Sequence, residues 1–218
     1  VQTAGRPKTF ESLPLAGHAK RHVTIFRMAK PPAAPPVRTP KRATPDDRIP
    51  RRVVDPTLDD HLEIITRAIF QAGLSWAMID SRWERFRAAF EGFRIDRVAA
   101  YGDFEIDRLM ATDGIVHSAK KIAGTAANAR TLLALQREHG SISAYVERFS
   151  TYRDLFADAR ERFAFLGDLS CYYWLFRTGN PVPLFEDWIA TQPKDHPRMR
   201  EMVTAGRAAQ TSTERRES

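Results

Sequence analysis

The chain has 218 residues, 43% of them apolar, and a formal net charge of +7, which allows one ordinary domain with a sizeable core plus tails. No apolar run approaches the roughly 20 residues needed to cross a bilayer, which excludes an integral membrane protein. Cys171 is the lone cysteine, so no internal disulfide can form, and the first thirty residues lack the apolar stretch and cleavage site of a signal peptide.

Residues 1–52 carry 12 Lys+Arg against 3 Asp+Glu, whereas residues 53–190 carry 16 against 20 and residues 191–218 carry 6 against 4. The positive charge is therefore a property of the ends. Eight of the 14 prolines fall between Pro31 and Pro56, so residues 1–52 are expected to be a disordered, basic, proline-rich arm. Such an arm serves either nonspecific phosphate affinity or solubility. A natural start at Met28 would make residues 1–27 an upstream extension. Residues 53–190 are expected to fold as a helical domain and residues 191–218 to form a polar tail.

From Thr57 the pattern is helix after helix. Leu58, Leu62, Ile65, Ile69 and Phe70 recur at helical spacing, and so do Trp76, Ile79, Trp83, Phe86 and Phe90. Between them, Phe70-Gln71-Ala72-Gly73-Leu74-Ser75-Trp76 reads as a tight corner. Gly73 suits a left-handed residue past one helix, Ser75 suits the cap of the next, and Trp76 is held at the rim of a concave junction. The second helix is expected to end near Glu91-Gly92, and Asp96 and Asp103 to cap two short ones. A long helix is expected over 118–139, ended by Gly140, and another over 141–149. Tyr152 to Arg162 and Leu169 to Thr178 form a helical pair around a hairpin at Phe163 to Gly167. No segment alternates with period two, so no sheet is expected.

The ordered set of motifs resembles one known family. Gln71 to Trp76, Phe86-Arg87 with Phe90 and Phe93, Val98-Ala99-Ala100, Gly114-Ile115-Val116, Lys121-Ile122, Asn128-Ala129-Arg130, Arg162 to Gly167, Cys171-Tyr172 and Gly179 are similar to the DNA-3-methyladenine glycosylase I family over residues 58–180. The resemblance implies an all-α fold of the helix-hairpin-helix DNA glycosylase type. It also implies an enzyme of base excision repair that flips a damaged base out of duplex DNA and hydrolyses its N-glycosidic bond. The partner is then double-stranded DNA bearing an alkylated base, the location the cytoplasm in association with the nucleoid, and the expected state a monomer.

Two departures accompany it. The family reads its base with a glutamate eight residues before the corner tryptophan, where this chain has Ala68. It also clips its termini with zinc held by two Cys and two His. With one Cys in the chain, no metal and no cofactor are expected, although His18 and His22 have i, i+4 spacing.

The candidate site follows from these motifs. Trp76 would stack the extruded base with Tyr172 or Tyr173 nearby, and Gln71 and Ser75 would read its edge. Gly167 would let the hairpin backbone approach a phosphate, with Lys120, Lys121 and Arg130 completing the DNA contact. Glycosylases of the wider superfamily place a catalytic Asp about twenty residues after the hairpin's last glycine, and that position here is Asp187, next to Glu186. A carboxylate there would stabilise charge developing on the sugar or orient the attacking water. The competing reading is that the acidic pair merely complements a helix N-terminus.

Overall fold

The computed structural model describes residues 52–217, with side chains through Arg207. The arm expected over residues 1–52 lies outside the described residues except for Arg52, as do His18, His22 and the Met28 start. Among the described residues there are eleven α-helices and no strand.

Helix α1 (Leu58–Gln71) opens with a reciprocal cap: the Thr57 hydroxyl accepts from the Asp60 amide at 3.2 Å, and the Asp60 carboxylate accepts from the Thr57 amide at 2.9 Å. Leu62, Ile65, Ile69 and Phe70 are fully buried along its inner face. The single helix expected after the corner is instead two, α2 (Trp76–Ser81) and α3 (Trp83–Ala89). Arg82, at φ −107° and ψ 0°, breaks the ladder between them. The break lets Trp83, Phe86 and Phe93 lie nearly parallel, with Trp83 stacked on Phe86 at 5.2 Å and on Phe93 at 5.4 Å. Phe90 continues the stack at 5.3 Å from Phe93.

A 3-10 turn (Glu91–Phe93) leads to α4 (Ile95–Ala99) and α5 (Asp103–Met110). Asp96 and Asp103 lie inside these helices rather than at their caps. The Ile95 amide is capped from a distance by the Asp59 carboxylate at 2.8 Å, and the Gly102 amide by Glu105 at 2.8 Å. The long α6 (Ala119–His139), capped by Ser118 and ended by Gly140 at φ +83°, runs through the core and packs against α1, α4 and α5. Helix α7 (Ile142–Glu147) follows, packed on α6.

The hairpin is α8 (Tyr152–Arg162) and α9 (Asp168–Arg177). Phe165 stands at its tip with φ +59°, in the left-handed region that glycine usually occupies, and is 50% exposed. Its ring lies over Gly124, where a Cβ would come within 2.7 Å. Buried Asn128 of α6 clasps the hairpin backbone, donating to the Ala164 carbonyl at 3.1 Å and accepting from the Ala164 amide at 2.7 Å.

After α10 (Phe185–Ile189), the expected polar tail proves to carry α11 (Pro197–Glu217). Met199, Met202 and Val203 give this helix an apolar stripe of i, i+3, i+4 spacing, and all three are buried. The stripe is short and surrounded by charge, which disguised it in composition.

Candidate active site

The corner forms as its residues dictate. The Ala72 amide still reaches the Ala68 carbonyl at 3.0 Å, Gly73 then turns at φ +80°, and the Ser75 hydroxyl accepts from the Met78 amide at 3.4 Å to start α2. Lys121 fixes the turn from α6: its ammonium donates to the Ile69 carbonyl at 2.8 Å and the Ala72 carbonyl at 3.0 Å. These are end carbonyls of α1 with no partner inside the helix. Partial burial lowers the Lys121 pKa. Lys121 thus serves as a helix cap rather than the phosphate contact expected of it.

Trp76 is half-buried and meets buried Tyr173 edge to face, with centroids 5.8 Å apart at 86°. Arg177 donates to the Tyr173 hydroxyl at 2.7 Å and holds that ring in place. Tyr172 faces elsewhere, because successive residues on a helix point about 100° apart. It is fully buried, 4.4 Å from Trp188, and its hydroxyl donates to the Pro183 carbonyl at 3.0 Å. Burial pushes its pKa up to about 12. Of the two tyrosines named as neighbours of the base, only Tyr173 belongs to the corner.

Gln71 is 2% exposed, and its amide donates to the Asp80 carboxylate at 2.9 Å. Asp80 also accepts from Arg67, through Nε at 3.1 Å and a terminal nitrogen at 2.7 Å, and from Arg198 of α11 at 3.4 Å. Sequence reading missed Asp80. Its only local signal is that it stands nine residues beyond Gln71, across a corner whose geometry brings the two helices together. Beside this network, Arg67, Arg87 and Arg177 line a cleft of about 170 Å³ with Asp60 and Glu63. Ser75 is exposed and spends its hydroxyl on the cap.

Gly167 precedes α9 with φ −80°, an ordinary conformation, and no atom lies within 4 Å of where its Cβ would be. Neither strain nor packing requires glycine there, and the space beside it is open. Its own amide closes onto the Phe165 carbonyl at 3.2 Å, so an anion would meet the amides that follow it at the head of α9. Lys120 is exposed. Arg130 is also exposed and donates to the Ala99 carbonyl at 2.8 Å, ending α4 much as Lys121 ends α1.

Glu186 and Asp187 are exposed in the first turn of α10. Arg200 of α11 engages Glu186, which removes it as a free carboxylate. The most heavily bonded acid of this region is instead the half-buried Asp168, which accepts from Tyr152 at 2.5 Å, Trp188 at 2.9 Å and Gln192 at 2.9 Å and ties α8, α9 and α10 together.

The zinc clip implied by the resemblance does not fit the described residues. Among them, no three His, Cys, Asp or Glu side chains converge as metal ligands. Cys171 is fully buried in α9, and desolvation pushes its thiol up to about 12. Where the terminal segments meet, Arg52 lies over the Phe176 ring at 4.9 Å and donates to the Phe176 carbonyl, while Gly206 of α11 presses on the same ring.

The family model for methyladenine glycosylase matches residues 55–164, half of the chain. The chain belongs to the methyladenine glycosylase family. The matched span runs from the cap of α1 through the corner to the hairpin. This family member is 23% identical to the DNA-3-methyladenine glycosylase of Haemophilus influenzae over 130 residues, which are 50% of this chain and 70% of the relative. It is 31% identical to DNA-3-methyladenine glycosylase 1 of Escherichia coli over 83 residues, 38% of this chain and 44% of that one. Among solved structures, 3-methyladenine DNA glycosylase I superposes with a TM-score of 0.50 at 25% identity, covering 60% of this chain and 82% of the other. The Staphylococcus aureus enzyme, solved for its recognition of 3-methyladenine, also gives a TM-score of 0.50 at 25% identity, over 58% of this chain and 77% of its own.

Proposed function

We propose that this family member is a monofunctional DNA glycosylase of base excision repair that removes 3-methyladenine-like bases. The supporting observation is the corner itself: a rigid helix-to-helix turn, locked by Lys121, that presents Trp76 with its edge contact to Tyr173. The hairpin would hold damaged duplex DNA through the amides heading α9, with Lys120 and Arg130 on the phosphates. The target nucleotide would swing out and its base would stack on Trp76. An alkylated purine carries positive charge and already has a weak glycosidic bond. Aromatic stacking of roughly 1 to 3 kcal/mol per base therefore does much of what such a substrate requires. Asp187 is the proposed carboxylate facing the oxocarbenium-like sugar, supported by its spacing from Gly167 and by the engagement of its neighbour Glu186 with Arg200. The protein is proposed to act as a monomer.

The deciding assay is release of free base from methylated duplex DNA. The parent should release 3-methyladenine. Trp76→Ala should weaken capture of the lesion by the roughly five- to hundredfold that a lost stacking partner implies. Asp187→Asn should bind normally and react about a hundredfold more slowly, the usual cost of removing a group that stabilises transition-state charge. Absence of release by the parent across a lesion panel, with salt-sensitive duplex binding retained, would mark a noncatalytic DNA-binding relative, a reading that Ala68 favours.

A further inference from the structure

The buried carboxamide of Gln71 has a fixed direction. An ionised carboxylate accepts hydrogen bonds and donates none, so the amide nitrogen of Gln71 must be the end facing Asp80, and the oxygen must face away. Arg67 of α1 and Arg198 of α11 hold Asp80 in place, so the carboxamide cannot turn over without losing its partner. The oxygen thereby committed is buried and has no hydrogen-bond partner among the described residues. Native proteins rarely leave such an acceptor unmet. Ala68, one turn earlier on α1, offers only a methyl group.

We propose that Asp80 is a positioning residue that sets Gln71 as a hydrogen-bond acceptor for the extruded base, so that the site selects a purine bearing an amine at its 6-position over one bearing a carbonyl there. The proposal rests on the corner being the base site. 3-Methyladenine presents an amine at the purine 6-position and completes the Gln71 oxygen. 3-Methylguanine presents a carbonyl there and sets two acceptors against each other. Sites built around one hydrogen bond discriminate strongly against partners that leave it unmade.

The test is binding of the two free bases to the intact chain, followed by quenching of tryptophan fluorescence, alongside their release from methylated DNA. The parent should bind 3-methyladenine at least tenfold more tightly than 3-methylguanine. Asp80→Asn, which is isosteric but offers both a donor and an acceptor, frees the carboxamide to turn and should cut that ratio at least tenfold. Gln71→Met, of similar length and without the acceptor, should cut it as well, which keeps the test intact if the first variant folds poorly. A purely structural role for Asp80 would lower both affinities together and leave the ratio unchanged, and that result overturns the proposal. Equal binding of the two bases by the parent, or binding of neither, overturns it too. Selective binding without base release would overturn the enzymatic reading alone.

Discussion

Lys121 shows how a charged residue in a DNA-binding family can be spent on architecture. Its ammonium completes two carbonyls at the end of α1 and lies 5.7 Å from the Phe70 ring. Lys121→Met keeps the stem but removes charge-assisted bonds worth about 2 kcal/mol. Urea unfolding should show a loss of that size, with affinity for undamaged duplex almost unchanged. His61 makes a complementary case. Buried at 3% exposure, its Nδ1 accepts from the Trp174 indole at 2.8 Å, and desolvation lowers its pKa from 6.5 to about 4. Between those values the unfolded chain binds the proton and the folded chain does not, so acid favours unfolding. The stabilisation is complete above pH 6.5 and is lost as pH falls through about 4, a change of roughly 3 kcal/mol. His61→Gln, which retains an acceptor for Trp174, should flatten the acid limb of a stability-against-pH curve over that window.

At the scale of elements, α11 closes the core over α9 and α10. Met199, Met202 and Val203 are each at most 2% exposed, and Arg198 and Arg200 extend polar contacts to α2 and α10. Met202→Ala should cost about 2 to 5 kcal/mol in chemical denaturation, as for other buried methionines. A merely polar tail would tolerate the change. The elements most legible in the sequence were those whose signals are local. The corner is written in Gly73 and Ser75, α6 in Ser118 and Gly140, and the hairpin in residues 152–179. What local pattern did not carry was everything decided across the fold. Asp59 caps α4 from 36 positions away, Asn128 clasps a hairpin backbone 36 positions on, and Asp80 joins residues of three helices. Tyr172 and Tyr173 are adjacent in sequence, and only the rotation of α9 assigns one to the core of α10 and the other to Trp76.

For the whole molecule, charge and site are separated. The described domain is close to neutral, and the excess of Lys and Arg lies in residues 1–52. Removing residues 1–51 should weaken binding to undamaged duplex. It should also reduce the slope of log affinity against log salt by about 0.9 for each phosphate that the arm neutralises in the intact chain, while preference for the lesion persists. An unchanged slope would assign the arm to solubility instead.

Helix α6 touches both halves of the proposed machinery. Lys121 holds the corner that carries Trp76, and Asn128 holds the hairpin. The seven-residue step from Lys121 to Asn128 spans roughly 10 Å at 1.5 Å per residue. On the proposed function the helix would act as a caliper, setting the distance between the strand backbone held at one jaw and the ring that would receive the base at the other. A nucleotide extruded at the wrong step along the strand would then miss the ring, so the register of the proposed excision would follow from the length of one helical span.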